Sequence, residues 1–129
     1  MDKGTVFLFG AAERGRLCSP LYVASLPELL DHLGQPPEDS EGIWYAIQTL
    51  LFQRKLIFFR VSEEGFSVKE YTQGLKLLKQ KEIGTILSAI CIPGVGDPEI
   101  IGALTPLCHL YRSVLILSKR DLYDYLTAK

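Results

Sequence analysis

Four short, nearly uninterrupted apolar runs punctuate the chain: Thr5–Phe9 (TVFLF), Leu56–Val61 (LIFFRV), Thr85–Ile92 (TILSAICI) and Ser113–Leu117 (SVLIL). None alternates strictly between apolar and polar positions. Each therefore predicts a strand covered on both faces, the pattern of a parallel or mostly parallel sheet between helices. Segments of helical period lie between them. Ser25-Leu-Pro-Glu28 is a capping box, in which hydroxyl and carboxylate satisfy orphan backbone donors, and it opens a short helix through Leu33 that Gly34 ends. Ile43, Ala46, Ile47, Leu50 and Leu51 form one stripe on a helix from about Glu41 to Gln53. Ser67-Val-Lys-Glu70 is a second capping box, with Phe66 and Tyr71 placed as a hydrophobic staple, before a helix that buries Leu75 and Leu78.

Asp97-Pro98-Glu99 combines a cap, a proline at the first helical position and an acidic first turn, and its helix is expected to reach about Tyr111. Pro106 falls inside this helix and predicts a kink or a division. Ser118 with Asp121 three residues on starts a last helix that carries Leu122, Tyr125 and Leu126 on one face. The expected order is β-α-α-β-α-β-α-β-α. It implies one α/β domain over residues 1–129, a three-layer sandwich of about four mostly parallel strands with helices on both faces.

Composition narrows the function classes. A chain of 129 residues holds one core, and 14 basic against 15 acidic side chains give a formal charge of −1. No global field exists to draw in nucleic acid or acidic lipid. The longest uncharged stretch, Ile83–Gly96, is shorter than the roughly 20 residues of a membrane helix and is broken by Pro93. Without a long apolar leader at the N-terminus, a cytoplasmic location is expected. Cys18, Cys91 and Cys108 are odd in number and widely spaced, the usage of small hydrophobes rather than of a disulfide framework. His32 and His109 stand in no metal-ligand spacing, and no serine sits in a nucleophile elbow. Trp44 and Tyr45 adjoin on one helix and must point about 100° apart, so one of them is a candidate contact anchor. The expectation is a protein with no catalytic residues, no metal and no cofactor.

In an open parallel sheet, ligands bind beyond the carboxyl ends of the strands, which directs attention to the loops starting at Gly10, Ser62, Pro93 and Ser118. Gly10, Gly15, Arg14 and Arg16 follow the first strand, where glycine lets a backbone approach an anion and arginine supplies charge. Gly94, Gly96 and Asp97 follow the third predicted strand and lead into a helix N-terminus. The first segment lacks the spacing of a dinucleotide or phosphate-loop motif, and in the second Asp97 already stands at the cap position, where its charge would repel a phosphate. Together they define an alternative reading, a small-ligand or nucleotide-binding regulatory domain.

Taken in order, these phrases resemble the conserved α/β core of contractile tail sheath proteins of phages and related injection systems. Phe9-Gly10-Ala11-Ala12-Glu13-Arg14-Gly15, then Ser19-Pro20 through Ser25 and Glu28 to Leu33-Gly34, is similar to the family's opening strand, glycine-rich phrase and proline-led helix. Arg60-Val61 closing the second strand, Ile90-Cys-Ile-Pro93-Gly94 before Asp97-Pro-Glu99, Cys108 in the following helix and Val114–Leu117 continue the likeness. Ser118 stands where the family usually has Asp, and the chain stops at Lys129, ahead of the long C-terminal domain and extended arms of sheath subunits, so the resemblance is to a truncated core. It implies a phage-derived structural domain that acts through self-association or through another sheath-like or tube-like protein, with no nucleic-acid or membrane partner. Arg14, Arg16, Lys119 and Arg120, with Asp31, Glu38 and Asp39, are the candidate contact residues, pairing charges between subunits.

Overall fold

The computed structural model describes residues 4–80 and 86–128. Ten elements follow one another: β1 (Thr5–Gly10), β2 (Pro20–Val23), α1 (Leu26–Leu33), α2 (Gly42–Leu51), β3 (Lys55–Arg60), α3 (Val68–Lys79), β4 (Leu87–Cys91), α4 (Pro98–Tyr111), β5 (Val114–Ile116) and α5 (Lys119–Thr127). They form a single sheet in the order β2-β3-β1-β4-β5, in which β1, β3, β4 and β5 are parallel. The expected α/β fold is therefore present, with one strand more than the hydrophobic runs imply. β2 lies antiparallel on β3, Pro20 opposite Phe59 and Val23 opposite Leu56. Proline has no N–H to give to a ladder, so a strand that opens on Pro20 belongs at a sheet edge. The start of the predicted Thr85–Ile92 strand lies outside the described residues.

Strand alternation divides the core into two layers. Val6, Leu8, Leu56, Phe58, Ala89 and Cys91 face α1, α2 and α5, whereas Phe7, Phe9, Ile57, Phe59, Ile90 and Ile92 face α3 and α4. Every residue of β1 is buried, as its uninterrupted apolar run requires. On the second face Phe9 stacks on Tyr71 with ring centroids 5.2 Å apart and lies 5.1 Å from Phe59. Gly74 of α3 rests on this cluster, where a Cβ would stand 2.3 Å from the Phe9 ring. Its missing side chain sets how closely α3 approaches the sheet.

Three of the predicted helix starts hold. The Ser25 hydroxyl accepts the Glu28 N–H, and the Glu28 carboxylate accepts the Ala24 N–H at 3.0 Å. Asp97 accepts the Glu99 N–H at 2.9 Å. Ser118 and Asp121 form the same reciprocal pair, the hydroxyl taking the Asp121 N–H and the carboxylate the Leu117 N–H, each at 3.1 Å.

The box predicted at Ser67 does not form. Its hydroxyl turns back to the Glu63 backbone, and the Glu70 carboxylate takes the N–H and hydroxyl of Ser62 instead of the Ser67 N–H. Phe66 is 73% exposed, so it makes no staple with buried Tyr71. Pro106 does not divide α4, which runs unbroken from Pro98 to Tyr111. Pro106 and Gly102 are both exposed, so the carbonyl that loses its helical partner faces solvent.

Candidate functional site

All seven candidate contact residues lie at the end of the molecule where the parallel strands finish. Arg14 and Arg16 sit in the β1–β2 loop, Asp31 near the end of α1, Glu38 and Asp39 in the α1–α2 loop, and Lys119 and Arg120 in the first turn of α5. Two of the cations are engaged within the chain. The Arg14 guanidinium donates to the Leu30 and Asp31 carbonyls at 3.0 and 3.1 Å, closing the C-terminal end of α1, and lies 3.5 Å from Glu13. Lys119 is 3.8 Å from the Glu41 carboxylate and 4.9 Å from the centre of the Trp44 ring. Trp44 is 39% exposed and Tyr45 fully buried, the split expected of adjacent helical positions.

Inside this ring of charges lies a side chain that the sequence did not single out. Glu64, in the β3–α3 loop, is 8% exposed, and its carboxylate accepts three backbone N–H bonds: Ala11 at 2.9 Å, Glu41 at 2.7 Å and Gly42 at 2.8 Å. The N-terminus of α2 has no cap of its own, since the Glu41 side chain makes no capping bond. Glu64 supplies it from 22 residues downstream of Gly42, with negative charge at the positive end of the helix dipole.

Two glycines make the contact possible. A Cβ on Gly42 would lie 2.7 Å from the Glu64 carboxylate and 2.8 Å from Gly10, and one on Gly10 would lie 2.9 Å from Gly42. Burial raises the Glu64 pKa above the ordinary glutamate range; the three N–H bonds oppose that shift without cancelling it, and the nearby Glu41 charge adds to it.

The same loop covers the place where an open sheet accepts a ligand. The chain leaves β1 for β3 on one side and reaches β4 on the other, so the strand order reverses between β1 and β4. There Gly65, with φ +88°, lies so close to the β4–α4 loop that a Cβ would be 2.3 Å from the Gly94 carbonyl. Its N–H donates to the Tyr71 hydroxyl at 3.0 Å, and burial first of all pushes the Tyr71 pKa up to about 12. Of the alternative ligand loop, Gly10 and Gly94 thus serve contacts within the chain, the Gly15 carbonyl receives Arg60, and Asp97 caps α4. Gly96 alone of that set faces open space.

Two clefts flank the filled crevice. One of about 400 Å³ is bordered by Glu38, Asp39, Glu63 and the exposed Phe66. The other, about 240 Å³, is bordered by Arg16, His32 and Arg60. The end of the sheet therefore carries an acidic side and a basic side.

Catalytic chemistry gains no support from the thiols. Cys91 and Cys108 are buried, and burial raises both pKa values. Cys18 is half-buried, and partial burial followed by the Glu70 charge raises its pKa, the reverse of the electropositive setting that activates a cysteine. Among the described residues no group of three His, Cys, Asp or Glu side chains is placed to hold a metal ion. No helix among them is long and apolar enough to cross a membrane. Comparison with family models, with curated proteins and with solved structures finds no match.

Proposed function

We propose that this domain is a cytoplasmic structural and interaction module of the kind the sheath resemblance implies, a phage-derived piece of a contractile injection system that binds copies of itself or a sheath-like partner. The observation that carries this reading is the state of the carboxyl end of the sheet. Its ligand crevice is filled by the Glu64 carboxylate and the Gly65 loop, while the surrounding rim exposes charges of both signs.

Lys119 and Arg120 add a second argument. They occupy the first turn of α5, where the helix dipole disfavours cations. Their placement there is a local cost to the helix, and pairing across an interface would offset it. Charges arranged in this way set register and encounter rate more than affinity, so the association should weaken as salt screens them.

Sedimentation velocity and negative-stain microscopy over a concentration series, at about 0.01 M and about 0.15 M salt, test the proposal. The expected result is discrete oligomers, rings or stacked filaments at the lower salt that shrink at the higher one. Monomer-sized particles under every condition would overturn self-association and leave the partner-bound form as the version to pursue.

A further inference from the structure

The basic cleft has the makings of a binding site in its own right. It is bounded by the β1–β2 loop, the end of α1 and the end of β3, and Leu33 and Phe58, both buried, lie beneath it. Its functional side chains are Arg16, Ser19, His32 and Arg60, and no acidic residue lines it. Arg60 is fixed in place from two directions. Its Nη1 donates to the Gly15 carbonyl at 2.5 Å, and its own carbonyl accepts the Cys18 N–H at 3.0 Å. Cys18 holds a left-handed conformation, φ +55°, to complete this latch, and the latch holds the loop carrying Arg16 and Ser19 beside Arg60. The Arg60 Nε, shut off from solvent, makes no hydrogen bond among the described residues. Glu70 is close enough to feel the Arg60 charge, yet both of its oxygens are taken by Ser62.

We propose that this cleft binds a small tetrahedral oxyanion of the phosphate class, held by the Arg16 and Arg60 guanidinium groups with Ser19 and the His32 ring as hydrogen-bond partners. Two guanidinium groups line one cleft with no carboxylate among the lining residues, and an oxyanion supplies both the balancing charge and the acceptors. Donors reach the cleft from three separate elements. That geometry suits a tetrahedral group with oxygens in several directions better than a planar carboxylate, which one arginine fork satisfies alone. At about 240 Å³ the cleft is smaller than the clefts of roughly 300–1,000 Å³ that enclose drug-sized ligands, so the anion itself rather than a whole nucleotide is the expected occupant. The site shares Arg16 with the proposed contact face, but a monomer contains all of its lining residues, so anion binding does not depend on self-association.

The test is a titration of the full chain with inorganic phosphate at constant ionic strength, followed by backbone amide NMR shifts and by calorimetry, with sodium chloride as the control anion and a nucleoside monophosphate as a second ligand. Saturable shifts at Gly15, Arg16, Ser19 and His32 are expected with phosphate and not with chloride, and the nucleotide should bind no more tightly than phosphate. Arg16→Gln and His32→Ala change exposed side chains and should melt as the parent does. Arg16→Gln should weaken phosphate binding by about tenfold, the loss of one charge-assisted hydrogen bond. Non-saturating shifts, shifts reproduced by chloride, or binding unchanged in Arg16→Gln would overturn the proposal. Tighter binding of the nucleotide would overturn the assignment of a small oxyanion.

Discussion

At the scale of single residues, Glu64 is the side chain on which the candidate site turns. Two of its three N–H partners, Ala11 and Gly42, are buried with it and Glu41 is part-buried, so Glu64→Gln keeps the shape but sets an amide donor against a backbone donor, and a loss of about 1–3 kcal/mol in unfolding free energy is expected. The pH dependence has a definite sign. The folded pKa lies above the ordinary value of 4.5, so between those two values the native state holds more proton than the unfolded chain, and stability falls as pH rises through that window. Glu70 acts in the opposite sense. Burial works to raise its pKa, but hydrogen bonds from Ser62 and Ser67 and the Arg60 charge outweigh it, so its contribution is present above the ordinary value and is lost as pH falls. The difference between parent and Glu64→Gln isolates the first effect. Urea denaturation at a series of pH values should show that difference largest at acid pH and shrinking as pH rises above 4.5; a gap that widens with pH would count against the raised pKa.

At the scale of elements, the two helix-interior glycines Gly74 and Gly102 should respond oppositely to alanine. In α3 a methyl at Gly74 would meet Phe9, which is fully buried and stacked between Tyr71 and Phe59 and has no free space to swing into. Overpacking of about 1–3 kcal/mol then outweighs the roughly 1 kcal/mol that alanine gains in a helix interior. In α4 nothing lies within 4 Å of a Cβ on Gly102, so Gly102→Ala should raise stability by about 0.5–1 kcal/mol. Thermal or chemical denaturation of both variants checks the contrast, and equal effects would mean that Gly74 does not control the approach of α3.

The same elements show what a sequence makes legible. β1 and β3 announce themselves because burial on both faces forces uninterrupted apolar runs, and Ser25, Asp97 and Ser118 mark helix starts because their caps are local. β2 leaves little trace: it has four residues, opens on Pro20, and only Val23 is buried. The Ser67 box fails because Ser62 and Glu63, two turns of chain earlier, compete for the same hydroxyl and carboxylate. Glu64 is invisible in the same way, since its donors come from the distant Ala11, Glu41 and Gly42, and the only local hint is a pair of acids before Gly65.

At the scale of the whole molecule, the acidic and basic sides of one sheet end allow a contact test that does not require the pairing to be known. If acidic residues of one copy meet basic residues of the next, reversing Arg16 and Arg120 to glutamate leaves as cations of the contact set only Arg14 and Lys119, both engaged within the chain, and the excess of like charge should abolish self-association. Reversing Asp31 and Glu38 to lysine should do the same with the opposite sign. These four side chains are exposed, and the Asp31 carbonyl that receives Arg14 is unaffected, so both variants should fold. An equimolar mixture then brings an acidic face against a basic one, and sedimentation at about 0.01 M salt should recover association in alternating copies, lost again near 0.15 M. Two variants that each assemble as the parent does would place the contact away from this end of the sheet. A mixture that stays monomeric while each variant alone is monomeric would mean that these charges act on register through pairs other than the reversed ones.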